Sequence, residues 1–372
     1  MNILITGNKG FIGQHLVNNL KYINSGNYKV IQFSKEDFKN SKLLDSKVKK
    51  SAVIVHLAAL NRHKDQSVIY DSNMNFSHNL VDSIKRVGFK GKLIFSSSIQ
   101  ESLNNGYGKS KKDSRNLFIH ESKLNGFIFS GLVLPNVYGP FGKPNYNSFI
   151  PTFCQKILSG KKVEIIENSK VPLIYIDTVV SLIINEIKSK DSDFEIQVNP
   201  EKIISVNEVK DILVEFKAEY IDNNTIPNLE NDFMLNLFNT FRSNIDVGAS
   251  FPIAHKNNID KRGNFIEILR SNSKGQYSYS TTKPNITRGN HFHTKKIERF
   301  SVIKGDSLIQ LRKIGTDEIV EFKLSGQNPS FIDIPVWHTH NISNIGDEEL
   351  ITLFWINEPY DIDNPDTYIE KV

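Results

Sequence analysis

The first half of the chain repeats one pattern, in which a short, nearly continuous apolar run is followed by a segment with helical spacing. Strands that are apolar on both faces are buried on both faces, and strands joined through helices run parallel. The pattern predicts an α/β fold, a Rossmann-type doubly wound parallel sheet. The predicted strands cover residues 3–5, 29–33, 52–57, 92–96 and 127–134, with helices over about 10–20 and 73–86.

The pattern changes after about residue 245. Gly, Asn, Thr and Pro become frequent, and short strands follow one another without helices between them, at 277–281, 299–304, 307–314, 318–324, 330–334 and 350–357. That spacing favours an antiparallel all-β sandwich or barrel. A chain of 372 residues is also long for a single core. We therefore predict two domains, 1–245 and 246–372.

Composition narrows the class of protein. With 39% hydrophobic and 23% charged residues, the chain has enough apolar material for folded cores. Its net charge of +5 gives no reason to expect nucleic acid as a partner. The single cysteine, Cys154, excludes an intrachain disulfide and a thiolate cluster. No signal peptide or membrane-length apolar run is visible, so we expect a cytoplasmic protein without a membrane partner, and a homodimer.

Three glycines follow the first strand directly and open the first helix, at Gly7, Gly10 and Gly13. Glycine is needed where a chain turns tightly and where its backbone approaches a pyrophosphate, and a helix start offers free amides to that anion. We predict a dinucleotide site at this turn. Its residues are Gly7, Asn8, Lys9, Gly10, Phe11, Ile12 and Gly13.

The end of the second strand indicates which dinucleotide binds. An NAD site usually places a carboxylate there to hold the ribose 2′-hydroxyl. Here Ser34 and Lys35 occupy that place, and a hydroxyl with a cation suits a 2′-phosphate. We therefore predict NADPH. Glu36 and Asp37 follow closely and leave ribose binding by a carboxylate as the alternative.

The spacing G-x-x-G-x-x-G resembles that of the short-chain dehydrogenase/reductase superfamily, and further motifs resemble its extended members. His56-Leu57-Ala58-Ala59 ends the third strand, serines 96–98 end the fourth, and Tyr107 begins a Y-x-x-x-K motif. The resemblance implies further cofactor contacts. They are Leu57, Ala58, Ala59, Asn73, Tyr107 and Lys111.

The same resemblance implies the chemistry. In these enzymes a tyrosine passes a proton to or from the sugar oxygen while hydride moves to or from the nicotinamide. Tyr107 would be this acid/base, and Lys111, four residues on, lies on the same helical face and would favour the phenolate. Ser98 would hydrogen-bond the reacting oxygen, with Ser97 as the alternative.

Residues 135–140, which contain Asn136-Val137-Tyr138-Gly139-Pro140, resemble the segment with which extended members hold a nucleotide sugar. Two basic residues usual in that family are missing: Val133 stands in place of one, and 171–172 lack the other. We therefore expect substitutes from the following loop. The predicted substrate contacts here are Asn136, Lys143 and Asn145.

The second domain carries a set of metal ligands. Alternation puts His291 and His293 on one face of a strand, and Glu298 returns on the next. The spacing resembles the first cupin motif, and 335–344 resembles the second, with Trp337 in place of its glycine and His340 as the fourth ligand. Three imidazoles and a carboxylate suit a divalent ion such as zinc, nickel or iron(II). We predict zinc.

Segments upstream of the cupin motifs resemble deoxynucleotide-sugar 3,5-epimerases, which remove a proton next to a 4-keto group. Asp260-Lys261-Arg262-Gly263 and Arg288-Gly289-Asn290-His291 carry that likeness. Arg262 and Arg288 would then contact the substrate. In that resemblance His291 corresponds to a catalytic base, whereas the cupin pattern makes it a metal ligand.

Over its full length the chain resembles the CapF/WbjC-type bifunctional enzymes of bacterial UDP-N-acetyl-L-fucosamine synthesis for capsule or O-antigen. The likeness implies a UDP-sugar substrate, C3 epimerisation of a UDP-2-acetamido-2,6-dideoxy-4-ketohexose in the cupin domain, and NADPH-dependent C4 reduction to the 6-deoxy-L-talose derivative in the other. Two alternatives stay open. One is an NAD-dependent 4-epimerase or dehydratase with a structural cupin, and the other is a non-catalytic sugar or redox sensor.

Overall fold

The computed structural model describes residues 1–372 except 147, 256, 261, 262, 267, 273, 274, 359, 360 and 362, and it leaves undescribed the side chains of 257–260 and 263–266. The chain divides into two compact units. One comprises residues 1–152 and 165–207, and the other comprises residues 153–164 and 208–372.

The first unit is built on a six-stranded sheet, in the order β2-β1-β3-β4-β5-β8, in which every neighbouring pair is parallel. A smaller sheet, β6-β7-β9, accompanies it. The strands are β1 (Asn2–Thr6), β2 (Lys29–Ile31), β3 (Val53–His56), β4 (Lys92–Ser98), β5 (Ile128–Leu134), β6 (Asn136–Tyr138), β7 (Lys170–Tyr175), β8 (Asp193–Gln197) and β9 (Lys202–Ser205).

Nine α-helices accompany the described strands. They are α1 (Phe11–Asn18), α2 (Ser41–Lys50), α3 (Gln66–Val87), α4 (Gly106–Asn125), α5 (Phe149–Leu158), α6 (Ile176–Lys188), α7 (Val206–Phe216), α8 (Asp232–Arg242) and α9 (Val247–Ser250). Asp65 caps α3 by accepting a hydrogen bond from the amide of Ser67, and Gly88 ends it with a φ of 64°. The helix is therefore longer than the predicted 73–86, because capping residues set its limits.

The central strands explain why the apolar pattern predicted this sheet. Ile3, Leu4 and Ile5 on β1 are fully buried, although successive side chains point to opposite faces. Both faces are therefore covered, which requires the near-continuous apolar runs seen in the sequence. The predicted doubly wound parallel sheet is confirmed.

The second unit contains two five-stranded antiparallel sheets, β11-β20-β17-β22-β15 and β19-β18-β21-β16-β23. Side chains from both meet in one apolar core that includes Val302, Ile309, Phe331 and Ile342, which confirms the predicted all-β barrel. The strands are β10 (Thr225–Ile226), β11 (Ile253–Ala254), β12 (Asn257–Asp260), β13 (Gly263–Ile266), β14 (Arg270–Ser271), β15 (Gln276–Thr282), β16 (Thr287–Phe292), β17 (Glu298–Lys304), β18 (Asp306–Lys313), β19 (Ile319–Ser325), β20 (Ser330–Ile334), β21 (His338–Asn344), β22 (Leu350–Ile356) and β23 (Tyr368–Ile369).

A buried polar network joins the barrel to the helices that precede it in the chain. Arg299 donates to both carboxylate oxygens of Asp333, at 2.8 and 3.1 Å, and the hydroxyl of Tyr220 donates to the same carboxylate. Arg242 donates to the carbonyl of Ile334 at 2.8 Å. Since buried charges need such partners, the network fixes these helices on the barrel. By its contacts, the segment 208–245 therefore lies in the second unit, whereas the domain limits predicted from sequence fall at 245/246.

Candidate functional site

The glycine turn after β1 has the shape that a dinucleotide site requires. Gly7 has a φ of 74°, and a Cβ there would lie 2.8 Å from the amide nitrogen of Ala58. Gly10 precedes α1 at the N-cap position and donates its amide to the carbonyl of Gly7 at 2.8 Å. A helix start leaves its first amides without intrahelical partners, and no side chain of the turn covers them with a cap. The turn therefore fits a pyrophosphate.

A substitution at Gly13 tests directly whether the glycine turn binds a dinucleotide. A Cβ at Gly13 would lie 2.2 Å from the carbonyl oxygen of Gly7, so Gly13→Ala should push α1 away from the turn. We expect dinucleotide binding to weaken about tenfold or more, since overpacking of this kind costs roughly 1–3 kcal/mol. Titration calorimetry with NADPH measures it. Gly248→Ala is the matched control, because its Cβ would meet only atoms at 3.7 Å or beyond. Equal affinities in both variants would contradict the assignment.

The segment that follows β3 lies against the glycine turn and is held there by Asn73. The amide oxygen of Asn73 accepts from the backbone of Leu60 at 2.6 Å, and its nitrogen donates to the carbonyl of Leu60 and to the hydroxyl of Ser110, each at 2.9 Å. Asn73 therefore orients the segment that contains Leu57, Ala58 and Ala59. Its own cofactor contact stays a prediction.

The carboxylates that follow β2 are already engaged. Asp37 accepts from the amide of Ser34 at 2.7 Å and from the ammonium of Lys47 at 2.5 Å, within a short 3₁₀ turn over Lys35–Lys39. Glu36 pairs with Lys39 on the surface at 3.0 Å. Ser34 and Lys35 are exposed. Asp37 is therefore committed to contacts within the turn and with Lys47.

Tyr107 and Lys111 lie on one face of α4. Asn105 starts this helix by accepting from the amide of Gly108 at 2.7 Å, which places Tyr107 in the first turn. The ammonium of Lys111 donates to the carbonyl of Ser96 at 2.6 Å and lies 5.7 Å from the centre of the Tyr107 ring.

Burial dominates the electrostatics of this pair. It raises the pKa of Tyr107 to about 12 and lowers the pKa of Lys111 to about 7. We expected Lys111 to favour the phenolate. In the structure desolvation outweighs that influence, because a buried charge is costly and Lys111 is itself only partly charged near neutrality. Tyr107 therefore keeps its proton near neutral pH, which is the form that can protonate a ketone oxygen.

The two candidate serines differ in their surroundings. The hydroxyl of Ser98 accepts from the amide of Gln100 at 3.2 Å, which leaves its hydrogen able to donate to a sugar oxygen. Ser97 is buried and its hydroxyl donates to Glu101. This arrangement favours Ser98 as the orienting hydroxyl.

Glu101 and Arg115 are functional candidates that sequence reasoning missed. Arg115 donates to both oxygens of Glu101, at 2.9 and 2.7 Å, and to Glu195 at 2.8 Å. The only available signal was spacing, because Arg115 lies four residues beyond Lys111 on α4. With its carboxylate engaged, Glu101 is a poor free acid or base, which argues against a dehydratase.

The predicted sugar-binding residues lie on β6 and the loop after it. Asn136 donates to the carbonyl of Pro172 at 3.1 Å. Lys143 and Asn145 are exposed, and the carbonyl of Asn145 accepts from Arg62 at 2.8 Å. Sequence reasoning did not single out Arg62, which brings a cation to this loop.

The four predicted metal ligands converge in the barrel. One ligand atom from each of His291, His293, Glu298 and His340 lies within 4.8 Å of all the others. The Nε2 atoms of His293 and His340 each lie 3.2 Å from one carboxylate oxygen of Glu298. These three atoms are buried and have no well-formed hydrogen bond among the described residues. Ligand atoms that face one another in this way fit a divalent ion.

Charge and backbone contacts prepare these groups to bind a cation. Burial of Glu298 opposes its ionisation, but the adjacent His293 and His340 hold the pKa of that carboxyl well below its ordinary value. Burial lowers the pKa of His291 to about 4, so its imidazole is neutral. The other nitrogen of His293 contacts the backbone oxygen of Asp366 at 2.5 Å. Contacts of this type fix the ring of a ligating histidine.

Asp366 itself is held firmly. Its carboxylate accepts from the backbone amides of Thr294, Lys295 and Lys296, at 2.9–3.3 Å, and from the hydroxyl of Thr294. It lies more than seventy residues along the chain from His293, whose ring its backbone oxygen contacts. It is another residue that sequence reasoning did not assign to the site.

Three other groups near the ligands bear on the chemistry. Lys313 pairs in register with His338 on the adjacent strand, and alternation puts both on the face that carries His340. Burial lowers the pKa of His338 to about 4. Arg288 is exposed on β16, and Arg262 lies outside the described residues.

Trp337 stands where the second cupin motif has glycine, and the structure shows the reason for that glycine. Its φ is 59°, in the left-handed region that favours glycine. The side chain is buried and stacks on Phe292 with ring centres 5.4 Å apart. Packing of this kind offsets the backbone strain.

Comparison with known proteins agrees with this geometry. The model of the NAD-dependent epimerase/dehydratase family matches residues 3–197, more than half of the chain. This chain belongs to the NAD-dependent epimerase/dehydratase family. The model of the polysaccharide biosynthesis C-terminal domain matches residues 258–368.

Within the NAD-dependent epimerase/dehydratase family, relatives match both parts of the chain together. A Pseudomonas aeruginosa protein named UDP-2-acetamido-2,6-beta-L-arabino-hexul-4-ose reductase is 32% identical over 99% of this chain and 98% of its own. The capsular polysaccharide assembling protein CapF from Staphylococcus aureus is 33% identical over all of both chains, with a TM-score of 0.64. CapF with the inhibitor 3-isopropenyl-tropolone is 32% identical over the same extent, with a TM-score of 0.60. The predicted full-length resemblance to CapF-type enzymes is confirmed.

None of the described helices combines the length and the apolar character that crossing a membrane requires.

Proposed function

We propose that this protein is a bifunctional nucleotide-sugar enzyme of capsule or O-antigen precursor synthesis. The barrel epimerises C3 of a UDP-2-acetamido-2,6-dideoxy-4-ketohexose, and the parallel-sheet unit reduces C4 to the UDP-2-acetamido-2,6-dideoxy-L-talose derivative. One observation carries the proposal. A Tyr107–Lys111 pair on the sheet unit and a three-histidine, one-glutamate cluster in the barrel occur in one chain whose full-length relative is named as the corresponding reductase.

In the reductase half, NADPH bound at the glycine turn would supply hydride to C4. The residues of the chain manage the oxygen. The hydroxyl of Ser98 donates a hydrogen bond to the ketone oxygen and orients it. Tyr107 gives its proton to that oxygen as the carbonyl becomes an alcohol, so the added hydride and proton account for both new hydrogens. Lys111, anchored on the carbonyl of Ser96, holds its amino group 5.7 Å from the centre of the tyrosine ring.

In the barrel, the substrate's own chemistry makes epimerisation possible. The C3–H bond is acidic only while C4 is a ketone, because the ketone oxygen takes up the enolate charge. A divalent ion held by the four ligands, for which we propose zinc, would polarise that carbonyl. Lys313 and His338, on the same face as His340, are placed to handle charge or protons near the sugar. Reduction at C4 then removes the acidity and fixes the configuration at C3.

We propose that the nucleotide sugar is held by Asn136, Lys143 and Asn145, with Arg62 supplying positive charge for the diphosphate. Both cations are exposed; Arg62 donates to the carbonyl of Asn145, and Lys143 precedes Asn145 by two residues. In the barrel, Arg262 and Arg288 are the proposed substrate contacts. We also propose a homodimer. Analytical ultracentrifugation measures that state directly.

Turnover tests the proposal. The protein is incubated with NADPH and the UDP-4-keto-6-deoxy-N-acetylhexosamine, and loss of NADPH absorbance is followed while deuterium incorporation at C3 is measured by mass spectrometry in D₂O. We expect both. NADPH loss without deuterium incorporation would support a reductase with a structural barrel. If neither NADPH loss nor deuterium incorporation is observed, the non-catalytic sensor remains as the interpretation.

Cofactor preference gives a second measurable result. We expect kcat/KM to be higher with NADPH than with NADH, and Lys35→Ala to lower the NADPH value about tenfold, because an ammonium–phosphate hydrogen bond is charge-assisted. The NADH value should not change. Lys39→Ala is the control, since Lys39 is exposed and pairs only with Glu36 among the ion pairs described. Equal losses with both cofactors would show that Lys35 does not contact the 2′-phosphate.

A further inference from the structure

Helix α4 carries a third functional side chain on the face of its acid/base pair. Tyr107, Lys111 and Arg115 are each four residues apart, and residues at this spacing lie along one helix face. Tyr107 is half-buried, and Lys111 and Arg115 are buried. A buried arginine requires partners for its five donors, so those partners show what this face of the helix holds.

The principal partner is Glu101, in the short turn Ile99–Ser102 that follows β4. Arg115 donates hydrogen bonds to both carboxylate oxygens of Glu101, at 2.9 and 2.7 Å. The side chain of Arg115 is 8% exposed and that of Glu101 is 11% exposed. Fork-to-fork contacts of this kind fix relative orientation as well as distance. The pair therefore ties the turn after Ser98 to the helix that carries Tyr107.

Two further contacts show that the position of Arg115 is built into the fold. Ser97, immediately before Ser98, donates its hydroxyl to Glu101, so the strand end is fastened to the same carboxylate. On β5, a Cβ at Gly131 would lie 2.8 Å from the carbonyl oxygen of Phe194 and 2.9 Å from Cδ of Arg115. Glycine inside a strand weakens it unless space is needed there, and here the space is taken by the neighbouring backbone and by the arginine side chain.

Glu101 also acts on Lys111 through its charge. Among the described residues, the titratable groups around Lys111 include Tyr107 on α4, His56 at the end of β3 and Glu101, and the charged Arg115 lies one helical turn away. His56 is fully buried and its pKa is lowered to about 3 by burial, so it carries no charge. Burial lowers the pKa of Lys111, and the negative charge of Glu101 acts in the opposite direction.

We propose that Glu101 and Arg115 are positioning residues for ketone reduction: they hold Ser98 and Tyr107 in fixed relation, and the carboxylate of Glu101 supplies a negative charge that acts on Lys111. The inference rests on the proposed reductase activity. Neither residue touches the reacting atoms. They act through Ser98, Tyr107 and Lys111.

Two conservative variants separate the positioning of Ser98 and Tyr107 from the effect of the Glu101 charge on Lys111. Glu101→Gln keeps the shape of the side chain and removes its charge. Arg115→Lys keeps the charge and removes the bidentate contact with Glu101. A matched pair of controls exists at the surface, where Arg86 grips both oxygens of Asp45 at 2.9 Å each. Asp45→Asn and Arg86→Lys make the same chemical changes away from the site.

Three quantities are measured for all four variants: kcat for reduction, the NADPH dissociation constant, and the pKa of Lys111 in the cofactor-free protein. The pKa of Lys111 is measured from the ¹³Cε resonance of labelled lysine. That resonance is assigned by its absence from the spectrum of Lys111→Arg. Thermal unfolding is recorded alongside. The resonance titration needs no turnover, so it reports on Glu101 and Arg115 independently of the reductase activity. If the wild type fails to oxidise NADPH, the proposed function is refuted, and the titration still tests the effect of Glu101 on Lys111.

We expect kcat to fall about ten- to a hundredfold in both site variants, with NADPH affinity within twofold of wild type. In Glu101→Gln the pKa of Lys111 should fall by roughly one unit, because an attractive charge is lost. In Arg115→Lys it should stay at its wild-type value. The controls should leave all three quantities unchanged. The proposal is overturned if the site variants behave like the controls, or if Glu101→Gln leaves the pKa of Lys111 where it was. If Glu101→Gln does not fold, Arg115→Lys decides through kcat.

Discussion

Tyr107→Phe should lower kcat for ketone reduction by about 10²–10⁴-fold, the usual contribution of a positioned general acid. The change removes one oxygen atom and keeps the ring beside Lys111. Because the pKa of Tyr107 is raised to about 12 by burial, the wild-type side chain carries a transferable proton at neutral pH and phenylalanine carries none. NADPH absorbance measures turnover, and calorimetry measures cofactor affinity, which should persist.

Tyr70→Phe is the matched control for Tyr107→Phe. The hydroxyl of Tyr70 donates to Asp113 at 2.8 Å, so this variant also deletes a hydrogen-bonded phenol from the same unit. Its turnover should stay within a few-fold of wild type. A Tyr107→Phe enzyme that retains more than a few per cent of turnover would exclude Tyr107 as the proton donor.

His340→Ala should abolish metal binding and stop exchange of the C3 proton with solvent deuterium. Three ligands with one open corner hold a divalent ion far less tightly than four, and here the lost ligand also contacts Glu298. Metal content is read by atomic emission spectrometry, and exchange by mass spectrometry. Reduction of a substrate already epimerised at C3 should continue, because Tyr107 and Lys111 lie in the other unit.

His255→Ala is the control in the same barrel, since His255 contacts Ser301 and is not one of the four ligands. It should keep both metal and exchange. Unchanged metal content in His340→Ala would exclude His340 as a ligand. Loss of metal with continued exchange would make the ion structural and assign the base to a metal-free group, for which His338→Ala is the next variant.

The parts of the fold that could be predicted from sequence are those whose signal is local. Continuous apolar runs predicted the buried strands β1, β3, β4 and β5, and the glycine spacing predicted the turn before α1. Both depend on neighbours within a few residues. Capping also acts locally, which is why the limits of α3 become clear once Asp65 and Gly88 are identified.

The strands that carry the metal ligands were harder to predict. β16 reads Thr-Arg-Gly-Asn-His-Phe and β21 reads His-Thr-His-Asn-Ile-Ser-Asn, so neither has an apolar pattern. Most of the polar residues of β21 are buried, whereas those of β16 are exposed or half-buried, and the two strands pair with His291 opposite His340 in the candidate metal cluster. Only the motif spacing indicated them, and hydrophobic periodicity could not.

Long-range partners could not be predicted at all. Arg115 meets Glu195 across eighty positions, and Asp366 reaches back to His293 across more than seventy. Spacing along the chain carries no information about such pairs. Sequence patterns therefore indicated the candidate reacting groups, but not the residues that hold those groups in place.

The polar network around Asp333 bears on how the gene for such a protein could have been assembled. A barrel that began at residue 246, where the strands take over, would leave Asp333 and Arg299 buried without the hydroxyl of Tyr220, and would lose the carbonyl contact from Arg242. A free-standing barrel that keeps this network would therefore need these helices as part of the same piece. A recombination point near residue 207 preserves the network, and one at 245 severs it.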